Sequence, residues 1–177
     1  LKADGWIQNP LDKACFMKFL GDGELPDAIL LIHVDDLRVH AVSSFFSGNY
    51  HGLKEKWGID KWEFDIFKYI GVNYVMTEDY GFRYDMTDFT RKIDPIPRTE
   101  YVALVDGPAA GREASDIFLN SSGVTKFRGG LGGLQWLAKE GRPDLLGEVA
   151  MLATELSKPT LSSLKKLNTT IALAKEH

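Results

Sequence analysis

The sequence predicts an α+β fold, with an antiparallel sheet in the first part of the chain and helices in the last part. Short apolar runs separated by turns rich in Gly, Asp and Pro fill residues 1–77, which is typical of strands joined by hairpins. Residues 124–177 instead repeat leucine at helical spacing. With 177 residues, 44% of them hydrophobic, the chain can bury a sizeable core. No apolar run approaches the roughly 20 residues of a membrane span, so we expect a soluble protein with no membrane partner.

The first predicted strands surround a pair of adjacent aspartates. Cys15–Phe19 is typical of a short strand, and Ala28–Val34 is apolar on both faces, as expected of a central strand. Leu37–Val42 alternates between two faces and suits a strand paired back on the second one. Only Asp35 and Asp36 remain between these strands. Because two-residue hairpin connections favour Asn, Asp and Gly, this pair is predicted to form the turn.

The following elements are predicted from caps and turn signals. A helix is predicted from Ser43 to about Trp57, with Ser43 as its cap. Asp65–Thr77 is predicted as one strand, which "EDYG" turns into a second strand, "FRYDM". Thr87 is predicted to cap a short helix that stops before Pro95.

The last third of the chain predicts a linker followed by helices. Residues 99–123 show no clean period and contain Pro, Gly and Ser, so they are predicted to form a linker or long loop. Breaks at Arg142-Pro143 and at Pro159 divide the remainder into successive helices. The predicted organisation is therefore a sheet region, a hairpin return with a short helix, a linker and a helical region: 1–77, 78–98, 99–123 and 124–177.

Charge and cysteine content limit the possible functions. The net charge of −4 argues mildly against a general nucleic-acid binder. However, residues 1–123 carry 13 basic and 20 acidic side chains, whereas residues 124–177 carry 8 basic and 5 acidic ones. The basic helical part could contact a phosphate backbone or simply be solvated, and the sequence leaves both open. The single cysteine, Cys15, excludes an internal disulfide and fits a reducing, intracellular compartment.

The aspartate pair is the one place where the residues themselves suggest catalysis. An ionised carboxylate buried without a partner costs several kcal/mol, and a second one beside it adds repulsion. Adjacent aspartates on a rigid hairpin offer hard oxygen ligands, as two-metal phosphoryl-transfer enzymes require. A solvated Asp-Asp turn is the alternative, because Asp is common in such turns.

Five sequence blocks resemble, in order and spacing, the reverse transcriptases of copia-type retrotransposons. "LLIHVDDLRV" is similar to the YVDD hairpin of that family, with His33 where the family usually has Tyr. The others resemble the family's upstream hairpin, its F-L-G strand that grips the primer terminus, its Q-x-x-Y-x-x-x-I segment and its R-P-D block. In chain order they are "GWIQNPLDKACFM", "FKYIGVNY", "YDMTDFTRKI" and "KFRGGLGGLQWLAKEGRPDLLGEVAMLATELSKPT". Together the five blocks cover most of the chain.

The resemblance implies a partial polymerase palm carrying the active-site hairpin in residues 1–77, and a thumb-like helical region in residues 124–177. It implies RNA-directed DNA polymerase activity, that is, nucleotidyl transfer, with Mg²⁺ or Mn²⁺ held by Asp35 as principal ligand and Asp36 beside it. His33, Val34, Ile70 and Gly71 would contact primer or template. His33 could equally be an ordinary strand residue, and Gly71 could equally mark a strand bulge.

The resemblance also implies what lies outside this sequence. The family's first catalytic aspartate, its fingers and its RNase H domain have no counterpart in these residues, and the chain begins with Leu rather than Met. We therefore expect a piece of a longer polyprotein that does not polymerise alone. Its partners in the full protein would be a primed RNA or DNA template and deoxynucleoside triphosphates, in the cytoplasm, a virus-like particle or the nucleus.

Two other interpretations stay open. One is a decayed or repurposed remnant that acts at most as a nucleic-acid or protein interaction module. The other is an unrelated metal-dependent nuclease, which needs further carboxylates that the sequence does not place. If part of the sheet is absent, we also expect apolar strand residues such as Leu30 and Ile32 to be exposed.

Overall fold

The structure, a computed structural model, describes residues 1–34, 36–79, 81–108 and 110–176, without the side chains of residues 49–51. It is an α+β fold, as predicted, and it contains two antiparallel sheets and several helices. The chain forms two compact units, Leu1–Arg83 and Tyr84–His177. In the part of the chain described, no helix is long and apolar enough to cross a membrane.

The first unit is built on a four-stranded antiparallel sheet. Its strands lie in chain order and are β1 (Ile7–Gln8), β2 (Cys15–Lys18), β3 (Ala28–His33) and β4 (Asp36–Ala41). Strand β3 is central, as its apolar sequence predicts, and pairs with β2 on one side and β4 on the other. Side chains directly opposite each other across a strand pair share a face of the sheet, so the register fixes which residues lie together.

A helix covers one face of this sheet. Helix α1 spans Ser43–Trp57, as predicted, but Val42 rather than Ser43 occupies its N-cap position. The core between helix and sheet consists of Trp6, Phe16, Ala28, Leu30 and Phe45, with Ile32 among the partly buried side chains packed against it. Leu30 is only 2% exposed. The expectation that Leu30 and Ile32 are exposed is therefore wrong, because α1 supplies the apolar surface that covers them.

The second sheet contains three strands, in the order β5 (Ile66–Tyr69), β6 (Val72–Met76) and β7 (Phe82–Asp85). The single strand predicted over Asp65–Thr77 is wrong, because the chain turns back at Ile70 and Gly71. Their φ angles are 50° and 80°. Two consecutive left-handed residues are the requirement of the tightest hairpin turn. The sequence concealed this turn because Ile, a β-branched residue, rarely adopts a left-handed conformation.

Helices dominate the second unit. They are α2 (Thr87–Lys92), α3 (Ser121–Glu140), α4 (Leu146–Thr154) and α5 (Leu161–Glu176). Leucines of α3 and α5 at helical spacing are fully buried, including Leu131, Leu134, Leu164 and Leu167. The unit therefore has a core of its own.

The segment 99–123, predicted as a linker or long loop, has short turns of 3-10 helix at Arg98–Leu104 and Ala114–Asp116. It also buries apolar side chains: Leu104, Val105, Ile117 and Leu119. Isolated bridges join Val105 to Leu119 and Phe118 to Thr160. This segment is thus packed into the core of the second unit rather than spanning open solvent.

The helix break at Arg142-Pro143 has a structural explanation. The guanidinium of Arg142 makes two hydrogen bonds to the carboxylate of Asp144 and donates a third to the carbonyl of Ala174, near the end of α5. That carbonyl lies in the last turn, where helical carbonyls lack intrahelical partners. The "RPD" sequence therefore fastens the start of α4 to the end of α5.

Candidate active site

The turn between β3 and β4 carries the predicted metal ligands. Strand β4 begins at Asp36, which pairs with His33, so the connection lies one residue earlier than predicted. Val34 follows β3 with a φ of 54° and is 88% exposed. Asp35, the predicted principal ligand, lies outside the described residues. Of the predicted metal pair, the structure therefore describes only Asp36, an exposed carboxylate at the start of a strand.

The register places several polar side chains on the sheet face opposite α1. His33 pairs with Asp36, Leu31 with Arg38 and Ile29 with His40. Because alternate residues of a strand point to one face, Asp36, Arg38 and His40 share this face with His33. Leu37, Val39 and Ala41 pack against the core on the other face. The sheet thus presents an apolar face to the helix and a mixed face, on which Asp36, Arg38 and His40 lie opposite His33, Leu31 and Ile29, to the rest of the unit.

Arg38 lies among aromatic rings of the second sheet. Its guanidinium carbon is 4.1 Å from the ring centre of Tyr74, 5.4 Å from that of Phe67 and 5.6 Å from that of Phe82. A fourth ring, that of Tyr69, lies at 5.8 Å. Phe67 and Tyr74 are themselves stacked, with centroids 5.2 Å apart. Strand β4 and the β5–β6 hairpin therefore meet through this cluster.

The Ile70-Gly71 turn directly follows a residue that shares a cavity with Asp36, although Ile70 and Gly71 are not among the residues that line this cavity. Tyr69, the residue before the turn, and Asp36 both line a cavity of about 490 Å³ beside β4. Burial raises the pKa of the Tyr69 hydroxyl, the nearby charge of Arg38 opposes this effect, and the negative charges of Asp36 and Asp12 add to it. The structure thus brings Asp36 and the β5–β6 hairpin, predicted as separate parts of one site, to a shared cavity.

His40 lies two residues after Arg38 on the same face of β4. Burial, and then the positive charge of Arg38, lower the pKa of its imidazole below the usual value. The ring also makes an edge-to-face contact with Phe82 at 5.6 Å. His40 is therefore held neutral near pH 7 as part of the packing between β4 and the second sheet.

The described residues supply only part of a donor set for a metal ion. Among the described residues, no group of three or more His, Cys, Asp or Glu side chains is arranged to hold a metal. Asp36 offers the hard carboxylate oxygen that Mg²⁺ prefers, and its exposure leaves room for metal-bound water. The described residues therefore fit one part of a carboxylate site.

The remaining candidates for nucleic-acid contact divide into two groups. Among the aromatic side chains of the first unit, Trp57 and Phe64 are 45% and 52% exposed, whereas Phe67 and Tyr69 are half-buried. Lys166 is paired with Glu155, and Lys175 donates to the carbonyl of Arg91. Exposed aromatic surface thus remains near the cavity, while two lysines of α5 are engaged within the fold.

Sequence reasoning missed Arg38 and its aromatic cluster. The available signal was an arginine at an alternating position between two apolar strand residues, Leu37 and Val39, followed downstream by several aromatic residues at alternate positions. That pattern does not reveal that the β5–β6 hairpin folds back over β4. No protein-family model, curated protein or solved structure matches this chain.

Proposed function

We propose that this chain is part of an RNA-directed DNA polymerase similar to the reverse transcriptases of copia-type retrotransposons. The observation that carries the proposal is the shared cavity beside β4, which Asp36 and Tyr69 both line. Two of the sequence blocks that resemble the family, one with the aspartate pair and one with Ile70-Gly71, therefore meet in one compact unit. An unrelated turn with two aspartates has no reason to adjoin that second block.

In this proposal the first unit and the helices of residues 124–177 correspond to part of the palm and to the thumb. Asp35 and Asp36 would hold Mg²⁺ or Mn²⁺, with a further aspartate supplied from outside this sequence. A metal held there would supply activation of the attacking 3′-oxygen and stabilisation of the leaving pyrophosphate. The role of Asp36 is to hold its carboxylate at a fixed position on a paired strand, which a flexible loop could not do.

The contacts to the primer terminus would come from the two hairpin turns. His33 is exposed on the same face as Asp36, and Val34 is exposed at the tip. Ile70 and Val34 are both β-branched residues with left-handed φ angles, which cost roughly 1–3 kcal/mol each. Strain of this kind concentrates at functional sites, so its presence at both turns supports a role for them.

The proposed partners are a primed RNA or DNA template, deoxynucleoside triphosphates and the rest of a polyprotein, within the cell. Because the resemblance implies a further catalytic aspartate that these residues do not supply, we propose that the chain alone does not extend a primer. The test is metal-dependent extension of a primed RNA template by the chain alone and by a chimera that places the N-terminal half of a copia-type reverse transcriptase before it.

Asp35→Asn and Asp36→Asn in that chimera test the metal ligands, and Asp22→Asn, at an exposed site away from them, is the matched control. We expect the chimera, but not the chain by itself, to extend the primer. The extension rate of the chimera should fall at least about a hundredfold with Asp35→Asn, fall less with Asp36→Asn and stay unchanged with Asp22→Asn. Extension that survives both substitutions at the pair would rule out the proposed site.

A decayed or repurposed remnant is the second candidate. It is favoured by His33 at the position where the family usually has Tyr, and by the partners that Lys166 and Lys175, two of the three lysines of α5, have within the chain. A chimera that binds primed template but does not extend it would favour this candidate as an interaction module. A chimera that neither binds nor extends would leave no nucleic-acid role for the chain.

A further inference from the structure

Arg38 combines an unusual position with an unusual environment. It lies in the middle of β4, half-buried, and points toward the second sheet rather than toward solvent. Its Nε atom is buried and has no hydrogen-bond partner among the described residues. Burying part of a guanidinium without such a partner is costly, so something else in the fold must compensate.

The compensation comes from the rings around it. The four aromatic residues belong to all three strands of the second sheet: Phe67 and Tyr69 to β5, Tyr74 to β6 and Phe82 to β7. A cation over the face of an aromatic ring gains about 0.5–1 kcal/mol at exposed sites and about 2 kcal/mol or more when desolvated. The guanidinium is also planar and weakly hydrated, so it stacks on rings better than an ammonium does.

We propose that Arg38 is a positioning residue that holds the β5–β6 hairpin against β4 and so places the Ile70-Gly71 turn beside Asp36. The turn follows Tyr69 directly, and Tyr69 lines the same cavity as Asp36 and Arg38. Because β5 and β6 are short, a clamp on Phe67, Tyr69 and Tyr74 fixes most of the hairpin. His40, two residues after Arg38 on β4, makes an edge-to-face contact with Phe82. This contact also holds the second sheet against β4.

An apolar side chain would bury the same surface without the cost of desolvating a charge. Replacement of buried charges by apolar groups is often neutral or stabilising, so packing alone does not explain arginine here. What arginine adds is orientation, because its plane and charge select particular ring faces. The proposal that Arg38 holds the hairpin, which we call the Arg38 clamp, depends only on this geometry. The effect of the clamp on catalysis rests on the proposed polymerase function.

The test compares Arg38→Lys, Arg38→Met and a matched control, Arg83→Met, which removes an exposed arginine from β7. Two quantities are measured on the full chain without substrate. One is hydrogen exchange of the β5 and β6 amides, and the other is the nuclear Overhauser effect between protons of the His40 and Phe82 rings. We expect Arg38→Met to speed exchange about tenfold and to weaken the ring contact. Arg38→Lys should retain part of the protection, and Arg83→Met should change neither quantity.

If the β5 and β6 amides of Arg38→Met exchange as slowly as those of the unaltered chain, the proposed role of Arg38 is wrong, because packing alone then holds the hairpin. If Arg38→Met does not fold, the chemical shifts of the Arg38 side-chain protons in the unaltered chain provide the test. Ring currents of the stacked aromatics must shift the Arg38 side-chain protons upfield, and unshifted resonances overturn the proposal.

The extension assay separates this inference from the proposed function. In an active chimera, Arg38→Met should lower kcat about tenfold with little change in KM for primed template, and Arg38→Lys should recover part of the loss. An unchanged kcat would overturn the positioning role. An inactive chimera together with Arg38-dependent exchange would overturn the polymerase proposal and support the clamp.

Discussion

The two units of this chain meet their polar and conformational requirements differently. In the second unit, Asn120, Arg142 and Asn168 each hydrogen-bond to backbone groups. In the first unit lie all the non-glycine residues with a left-handed φ in the described part of the chain, Val34, Asp65 and Ile70, together with the unpaired Nε of Arg38. Strain and unsatisfied polar atoms therefore concentrate in the unit that carries the candidate site, as expected where function competes with stability.

The second unit should be the more sensitive one to small changes in packing, and Gly123 tests this most severely. A β-carbon at this position would collide with the carbonyl oxygen of Leu104 and would lie 3.0 Å from the β-carbon of Leu119. Since neither backbone nor β-carbon can rotate away, Gly123→Ala should lower the free energy of unfolding by about 2–3 kcal/mol. Denaturant unfolding followed by helical circular dichroism measures this loss.

Gly132 in the same helix provides the control, because nothing lies within 4 Å of a β-carbon built there. Gly132→Ala should stabilise the unit by about 0.5–1 kcal/mol through higher helix propensity. Equal effects of the two substitutions would mean that helix propensity, rather than the close approach at Leu104, determines both.

Asn168 tests whether satisfied polar groups hold the second unit together. Its side-chain oxygen accepts from the amide of Ile96 at 2.9 Å, and its nitrogen donates to the carbonyl of Ile96 at 2.7 Å and to the Tyr101 hydroxyl at 2.8 Å. Asn168→Leu keeps the number and branching of the side-chain heavy atoms but leaves these partners unpaired, so we expect a loss of about 2 kcal/mol. The neighbouring exposed site supplies the control, and Thr169→Leu should cost well under half as much.

The helices of the second unit could be predicted because burial there follows a simple period. Leu131, Leu134, Leu164 and Leu167 are fully buried, as leucines at helical spacing are expected to be. The burial of Leu104 and Ile117 could not be predicted, since short 3-10 turns leave no period to detect.

In the first unit β3 could be predicted from its apolar residues on both faces and β4 from its alternation, but the turn at Ile70-Gly71 could not be predicted. A β-branched residue at left-handed φ contradicts local preference, and such contradictions are resolved only by tertiary contacts. The environment of Arg38 was hidden for the same reason, because it depends on where the second sheet folds relative to β4. The β3–β4 turn differs less from its prediction: the pairing of His33 with Asp36 places the turn one residue earlier than the sequence predicts.

Ile70 tests whether the strain in the first unit is real. Asn tolerates the left-handed conformation better than Ile, so Ile70→Asn should stabilise this unit by about 1 kcal/mol. Ile66→Asn, the same change at an exposed strand position, should instead destabilise it. Hydrogen exchange of the β6 amides measures both, and a loss of stability with Ile70→Asn would show that packing of this side chain outweighs its strain.

His40 gives the smallest expected effect, a pH dependence confined to the first unit. Its pKa is lowered in the folded chain, by burial first and by the Arg38 charge second, so the unfolded chain binds this proton more readily. Stability should therefore be full above about pH 6.5, the unfolded value, and fall as pH decreases from there toward the lower folded pKa. The free energy of unfolding of the chain and of His40→Gln, measured between about pH 5 and pH 7.5, tests this pH dependence. The free energy should change less steeply with pH in His40→Gln than in the unaltered chain. An unchanged slope would place the pH dependence in the titration of other groups.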